Sequence, residues 1–191
     1  MRSNRILVTA AMLTLAVTAL RPGLAAGQDS GIGLPLGTAP EAPVIEDLDG
    51  NAVDLAQWVG KKPVLIEFWA TWCPVCKALE PRLEQAFAQY GDRVEFLIVG
   101  VGVSQTPRQI RRHLEDHELP GRFLFDRRGA AARAFAAPTT SYIVVLDASG
   151  KVLYTGSGEE QPIGEALRKA TQGNQTSAHQ PLQTPFVKRF L

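Results

Sequence analysis

The chain has 191 residues, of which 20 are Lys or Arg and 19 are Asp or Glu, so its formal net charge is +1. This balance excludes the strongly basic composition typical of nucleic-acid-binding proteins, and we expect no nucleic-acid partner. The length suits one domain with one hydrophobic core. The two cysteines, Cys73 and Cys76, are close together in the chain.

Residues 1–26 have the pattern of an export signal. Arg2 and Arg5 precede an uncharged apolar stretch over 6–20, and small residues follow it. This order is typical of a signal peptide, so we predict a periplasmic or otherwise exported protein. An uncleaved membrane anchor is the alternative, although the apolar stretch is shorter than the roughly 20 residues that span a bilayer.

The segment after the predicted signal begins with a linker and a hairpin. Residues 27–40 are rich in Gly and Pro, which indicates a flexible linker. Residues 43–46 and 52–55 flank an Asp-Gly-Asn turn and predict a β-hairpin. We place the folded domain at 41–172, and we expect the polar residues 173–191 to form a disordered tail.

A strand followed by a helix carries both cysteines. The apolar run over 64–69 predicts a strand buried on both faces. Apolar residues then recur every fourth position from 75 to 87, which predicts a helix over about 73–90. Pro74 suits the first helical position, because its missing N–H has no intrahelical partner there. The pattern therefore places Cys73 at the start of a helix.

A thiol at a helix start is favoured as the reactive thiolate. Unpaired N–H groups and the positive end of the helix dipole stabilise its negative charge. A purely structural disulfide is the first alternative, but so short a loop contributes only about 2 kcal/mol in the chain-entropy model. A zinc site with His113 and His117 is the second, but their distance from Cys76 does not match the usual spacing. We interpret the pair as redox-active and the histidines as a solvated helix face.

The segment EFWATWCPVCKALEP is similar to the active-site segment of the thioredoxin superfamily. The whole arrangement resembles the periplasmic TlpA/ResA-type branch of thiol–disulfide oxidoreductases over about 40–172. This resemblance implies a thioredoxin-like α/β fold, with a mixed central β-sheet flanked by helices. An N-terminal β-hairpin and an inserted strand–helix element are features of this branch.

The later elements fit that fold. We predict a strand over 94–103, whose Gly100 and Gly102 allow close approach of another backbone. A helix over 106–117 follows, with Thr106 as its N-cap. We then predict the elements of the insertion, the second hairpin and the closing helix, at 123–125, 130–136, 141–146, 151–155 and 163–170.

The resemblance also implies roles for individual residues. Cys73 is the nucleophile and Cys76 resolves the mixed disulfide, so that Cys73–Cys76 is the redox disulfide. Glu67, an acid within the apolar strand, exchanges a proton with Cys76. Pro138 occupies the position of the cis-proline that faces the cysteines. The predicted docking surface for substrate consists of Trp72, Pro74, Val75 and Ala137, with Trp69 at the same apolar rim.

We therefore expect an exported enzyme that reduces disulfides of periplasmic proteins, with a membrane-bound electron donor. We expect a monomer without cofactor or metal. The alternatives are a dithiol oxidase, or a module that binds and delivers Cu(I), an ion that soft thiolates suit. A copper carrier usually adds Met or His beside the thiols, whereas Met1 and Met12 both lie in the predicted signal peptide.

Overall fold

The computed structural model describes residues 33–177, with side chains to residue 172. This part of the chain forms seven strands: β1 Val44–Asp47, β2 Ala52–Asp54, β3 Val64–Trp69, β4 Glu95–Val101, β5 Arg122–Asp126, β6 Tyr142–Leu146 and β7 Val152–Gly156. Its α-helices are α1 Pro74–Tyr90, α2 Pro107–Asp116, α3 Ala130–Ala134 and α4 Ile163–Ser177. A 3-10 helix, Leu55–Gln57, follows β2.

The strands form one sheet in the order β2-β1-β5-β4-β3-β6-β7. Strand β4 is parallel to both of its neighbours, β3 and β5, and the other pairings are antiparallel. The inserted strand β5 lies between the N-terminal hairpin and β4, so it joins the hairpin to the central strands. The predicted mixed sheet, both hairpins and the strand–helix insertion are all confirmed.

Strand β3 is buried along its whole length. Because successive side chains of a strand point to opposite faces, its residues divide between two cores. Leu65 packs with residues of α1 and α4. Ile66 and Phe68 pack on the other face with Phe135 and Tyr142. The strand that precedes the cysteines is thus held rigidly from both sides.

Helix α4 is longer than predicted, since it continues to Ser177 instead of ending at 170. The Thr171 hydroxyl donates to the Leu167 carbonyl, and Arg168 donates to Gln172 one turn further on. The Arg168–Gln172 contact is an i,i+4 side-chain pair, which favours continuation of a helix. Residues 173–177 are therefore helical, contrary to the predicted disordered tail, whose remainder lies outside the described residues.

The predicted signal peptide and most of the predicted linker also lie outside the described residues. Within 33–177, no helix has the length and apolar character needed to cross a bilayer.

Gly102, just after β4, lies against the backbone that follows β5. A Cβ at this position would lie 2.6 Å from the carbonyl oxygen of Arg127 and 2.9 Å from that of Asp126. These are main-chain atoms, so they cannot move aside as a flexible side chain would. We predict that Gly102→Ala lowers the free energy of unfolding by about 1–3 kcal/mol, the usual cost of overpacking. Urea denaturation of the oxidised protein measures it.

Gly164 in α4 provides the matched control, because a Cβ there meets no heavy atom within 4 Å. Gly164→Ala should leave the free energy of unfolding unchanged, or raise it by up to about 1 kcal/mol through helix propensity. Equal destabilisation by both substitutions would contradict a specific close approach at Gly102.

Candidate active site

The two cysteines form a disulfide at the N-terminus of α1, with their Cα atoms 5.3 Å apart. Cys73 is the N-cap, and its Sγ accepts a hydrogen bond from the Cys76 backbone N–H at 3.0 Å. Cys73 is 5% exposed, whereas Cys76 is completely buried. The predicted helix start is confirmed, and an otherwise unpaired helix N–H points at the sulfur of Cys73.

The turn between β3 and α1 is held by Gln105, a residue that no motif in the sequence indicates. Its side-chain Oε1 accepts from the Thr71 N–H at 3.0 Å, and its Nε2 donates to the carbonyls of Trp69 and Val101. Gln105 is buried and satisfies backbone groups of two segments at once. It therefore positions the turn on which Cys73 is carried.

A cavity of about 490 Å³ opens beside this turn. Trp72, Ala137 and Pro138 line it together, as do Phe68 and Val103. Trp72 is 48% exposed, and its indole N–H donates to the Val103 carbonyl at 2.9 Å, so the ring is oriented. The structure thus brings three predicted site residues to one groove.

The other predicted docking residues lie elsewhere. Pro74 and Val75 are exposed on the first turn of α1 and do not line the groove. The prediction that Trp69 belongs to the rim is wrong, because only 2% of it is exposed. Its ring packs edge-on against Phe123 and His113, at centroid distances of 5.7 and 5.3 Å. As the last residue of β3, it belongs to the core under α2.

The prediction that Pro138 follows a cis peptide bond is wrong, since the described residues contain no cis peptide. The chain reverses instead through Ala136 and Ser141, whose φ angles are +48° and +58°. The loop is anchored at both ends, by Ala137 N–H to the Ala132 carbonyl and by Ser141 N–H to the Phe68 carbonyl. With the reversal made at these positions, Pro138 keeps the trans form, which X–Pro bonds favour by about 0.5–1 kcal/mol.

Glu67 lies in the middle of β3 and is 1% exposed, as predicted. It pairs in register with Ile98 of β4 and Ile143 of β6, so its backbone is enclosed by the sheet. Its Oε1 has no hydrogen-bond partner among the described residues. Burial raises the pKa of Glu67 well above its ordinary value, and the charge of Glu80 adds to the rise.

The predicted solvated face of α2 is only partly solvated. His113 is stacked on His117, with ring centroids 4.4 Å apart, and lies against Trp69. Its Nε2 is buried and has no hydrogen-bond partner within the described part of the chain. Burial lowers the pKa of His113, and the charges of His117 and Lys77 lower it further.

The family model described as Redoxin matches residues 36–172. The chain belongs to the Redoxin family. Among curated relatives, it is 26% identical over 136 residues to the thiol-disulfide oxidoreductase ResA of Bacillus thuringiensis, which covers 69% of this chain and 77% of that one. It is 28% identical over 128 residues to the thioredoxin-like protein YneN of Bacillus subtilis, with 64% and 73% covered.

Solved structures show the same fold at lower identity. The dsbF structure from MTB superposes with a TM-score of 0.61 at 21% identity, covering 70% of this chain and 98% of that one. StoA from Bacillus subtilis has a TM-score of 0.56 at 20% identity, with 70% and 99% covered. The predicted thioredoxin-like fold is confirmed. This Redoxin family member is a thiol–disulfide oxidoreductase, with Cys73 and Cys76 as its CxxC pair.

Proposed function

We propose that this protein is exported and reduces disulfides of other proteins. Cys73 attacks the substrate disulfide, Cys76 resolves the mixed disulfide, and Glu67 holds the proton of Cys76. The hydrogen bond from the Cys76 N–H to the Cys73 sulfur is the observation that carries this proposal. A donor aimed at that sulfur stabilises the thiolate, the form in which cysteine attacks.

The burial of the two sulfurs supports their different roles. Cys73 retains slight exposure and lies at the helix end, so a substrate sulfur has access to it. Cys76 lies beneath it, fully buried in a cluster with Trp69 and Ile98. A buried thiol meets substrate only after the first attack has brought a mixed disulfide to Cys73. Attack by Cys73 followed by attack by Cys76 is the order of steps that thiol–disulfide exchange through a mixed disulfide requires.

Glu67 supports the proton transfer by its place in the core. It lies in β3 between Leu65 and Trp69 and on the same face, because side chains at alternate positions share a face of a strand. The residues beside it pack with α1, which also carries Cys76. A carboxyl with a raised pKa is closer in acidity to a thiol, so a proton passes between them at smaller cost.

The groove beside the cysteines supports docking of an extended segment of substrate. Trp72 and Val103 supply exposed apolar surface, and the loop of Ala137 and Pro138 borders the same space. Pro74 and Val75 extend the exposed surface around the disulfide along α1. Aromatic and apolar side chains with a few polar groups at the edge are typical of a binding groove.

The reducing direction rests on the unpartnered carboxyl of Glu67. The apolar surroundings that raise the pKa of Glu67 also raise the cost of a thiolate at the buried pair, and ionisation of Glu67 would raise it further. This weakens the stabilisation of the reduced form that makes strong oxidants oxidising. The hydrogen bond to the Cys73 sulfur acts in the opposite sense, because it stabilises the thiolate of the reduced form. In an oxidising compartment, a reductase of this kind needs an external electron donor, which we place in the membrane.

We predict that the Cys73–Cys76 couple has a reduction potential below about −200 mV, the range of thiol–disulfide oxidoreductases that act as reductants. The purified protein is equilibrated with glutathione buffers, and the fraction oxidised is counted after acid quench and alkylation. A potential near about −120 mV, the value of a strong periplasmic oxidant, would instead identify a dithiol oxidase.

A further inference from the structure

A small cavity lies behind the active site, separate from the substrate groove. Its lining includes the carboxyl-bearing residues Glu67 and Glu80 and the apolar residues Leu83, Leu119 and Phe123. Its volume of about 10 Å³ is close to the space that one water molecule needs. The unpartnered Oε1 of Glu67 offers a hydrogen-bonding group at this site, and a water needs such partners.

Glu80 connects this cavity with the surface of the protein. It lies on α1, one helical turn after Cys76, and is only partly buried. The charges that act on it come from His117, beyond the end of α2, and from Lys77 and Glu84 on its own helix. Burial raises the pKa of Glu80, while His117 and Lys77 lower it. Glu80 thus adjoins both the buried carboxyl and side chains near solvent.

We propose that Glu80 is a proton relay, which carries the proton of Glu67 to and from solvent through one water in this cavity. The proposal rests on the proposed role of Glu67. The need for a relay follows from the fold, because a carboxyl that is 1% exposed cannot exchange protons directly with bulk water. Glu80 does not touch the reacting sulfurs and acts only through Glu67.

The proton balance of the resolving step shows where the relay enters. The Cys76 thiol gives its proton to the Glu67 carboxylate, and the resulting thiolate attacks the Cys73 sulfur. The bond between Cys73 and the substrate sulfur breaks, so the substrate leaves as a thiolate with two electrons and the enzyme disulfide forms. Glu67 passes its proton to the cavity water, the water passes one to Glu80, and Glu80 releases one to solvent. Reduction of the enzyme runs these transfers in reverse.

The test compares Glu80→Gln with Glu84→Gln, a neutralisation on the same helix at an exposed position that does not line the cavity. Reduced protein is mixed with oxidised glutathione, samples are quenched in acid, and mass spectrometry counts mixed disulfide and enzyme disulfide over time. Glu80→Gln should slow resolution about tenfold, a part of the roughly 10²–10⁴-fold that a positioned acid–base group supplies. First attack should keep its rate. Glu84→Gln removes a charge that acts on Glu80 but keeps both carboxyls of the cavity, so it should leave the plateau rates of both steps unchanged.

Two further measurements separate a relay from a passive neighbour. Glu80→Asp keeps an ionisable carboxyl and should recover most of the rate of resolution that Glu80→Gln loses. It also tests the relay if Glu80→Gln folds poorly. Across pH, Glu80→Gln should lower the plateau rate of resolution. A shift of the pH midpoint without a lower plateau would show that Glu80 acts only by its charge, and would overturn the relay. An unchanged rate of resolution in Glu80→Gln would also overturn the relay. A Cys76→Ser protein that forms no mixed disulfide with glutathione would instead refute the proposed function, because that variant has no second thiol to resolve the adduct.

Discussion

Cys76→Ser should accumulate a stable mixed disulfide between Cys73 and a substrate protein, and Cys73→Ser should accumulate none. Both substitutions should abolish catalytic turnover, measured as reduction of insulin disulfides. The expected asymmetry follows from burial, because Cys76 is completely buried and Cys73 lies at the helix end. With Cys76 replaced, the first attack still occurs, but no second thiolate is present to release the substrate.

The reactivity of Cys73 in the Cys76→Ser variant can be measured directly. The backbone N–H of residue 76 is retained in that variant, so the hydrogen bond to the Cys73 sulfur is retained as well. The rate of alkylation by iodoacetamide should rise with pH to a midpoint below about 8.5, the value of an unperturbed thiol. A midpoint at or above that value would contradict the role of the helix N-terminus in activating Cys73.

The same Cys76→Ser variant can be used to trap native substrates in an extract of exported proteins. Non-reducing electrophoresis should show adducts of Cys76→Ser that disappear on addition of a reductant. The double variant with both cysteines replaced is the control for non-covalent capture. Adducts formed by Cys73→Ser in preference to Cys76→Ser would reverse the two assignments.

The core of this site could be predicted from the sequence because it lies in one continuous segment. Glu67, Cys73 and Cys76 occupy a strand, a turn and the first turn of a helix. Strand alternation and helix periodicity then determine which residues are buried together, whatever the rest of the fold does. The spacing therefore predicts the helix N-cap at Cys73 and the burial of Glu67, and the structure confirms both.

Features that depend on packing between distant segments could not be predicted in this way. Gln105 meets the turn at Thr71 only because the loop after β4 ends at the same edge of the sheet. His113 is half-buried against Trp69, a contact between α2 and the end of β3 that neither segment's pattern shows. The isomer at Pro138 depends on the loop between α3 and β6, whose reversal is made at Ala136 and Ser141. In each case the tertiary contact decides the outcome.

Glu67→Gln should slow the resolving step by about 10²–10⁴-fold, the range that a positioned acid–base group contributes. The first attack should be nearly unaffected, because it begins from the Cys73 thiolate and transfers no proton from Cys76. Acid-quenched time courses with oxidised glutathione measure both steps in one experiment. Glu84→Gln is the matched control, since it removes a carboxyl from the exposed face of α1. Equal slowing of both steps would contradict a proton-carrying role.

The same substitution should change how stability depends on pH. The folded-state pKa of Glu67 is raised well above the ordinary value by burial and by the charge of Glu80. The folded protein therefore holds this proton more tightly than the unfolded chain does. As pH rises from the unfolded pKa of about 4.3 towards the folded pKa, the folded state binds more protons than the unfolded state. The free energy of unfolding must then fall with rising pH.

Glutamine at position 67 cannot ionise, so this loss is absent from the variant. The variant should gain stability relative to the wild type as pH rises from 5 towards 8, by about 1.4 kcal/mol for each pH unit in this window that lies below the folded pKa. Urea denaturation of the oxidised proteins at each pH gives the difference, and the shared titration of all other groups cancels in it. A wild-type-minus-variant difference that stays constant from pH 5 to 8 would mean that Glu67 is already ionised in the core, because only a titrating carboxyl makes that difference depend on pH.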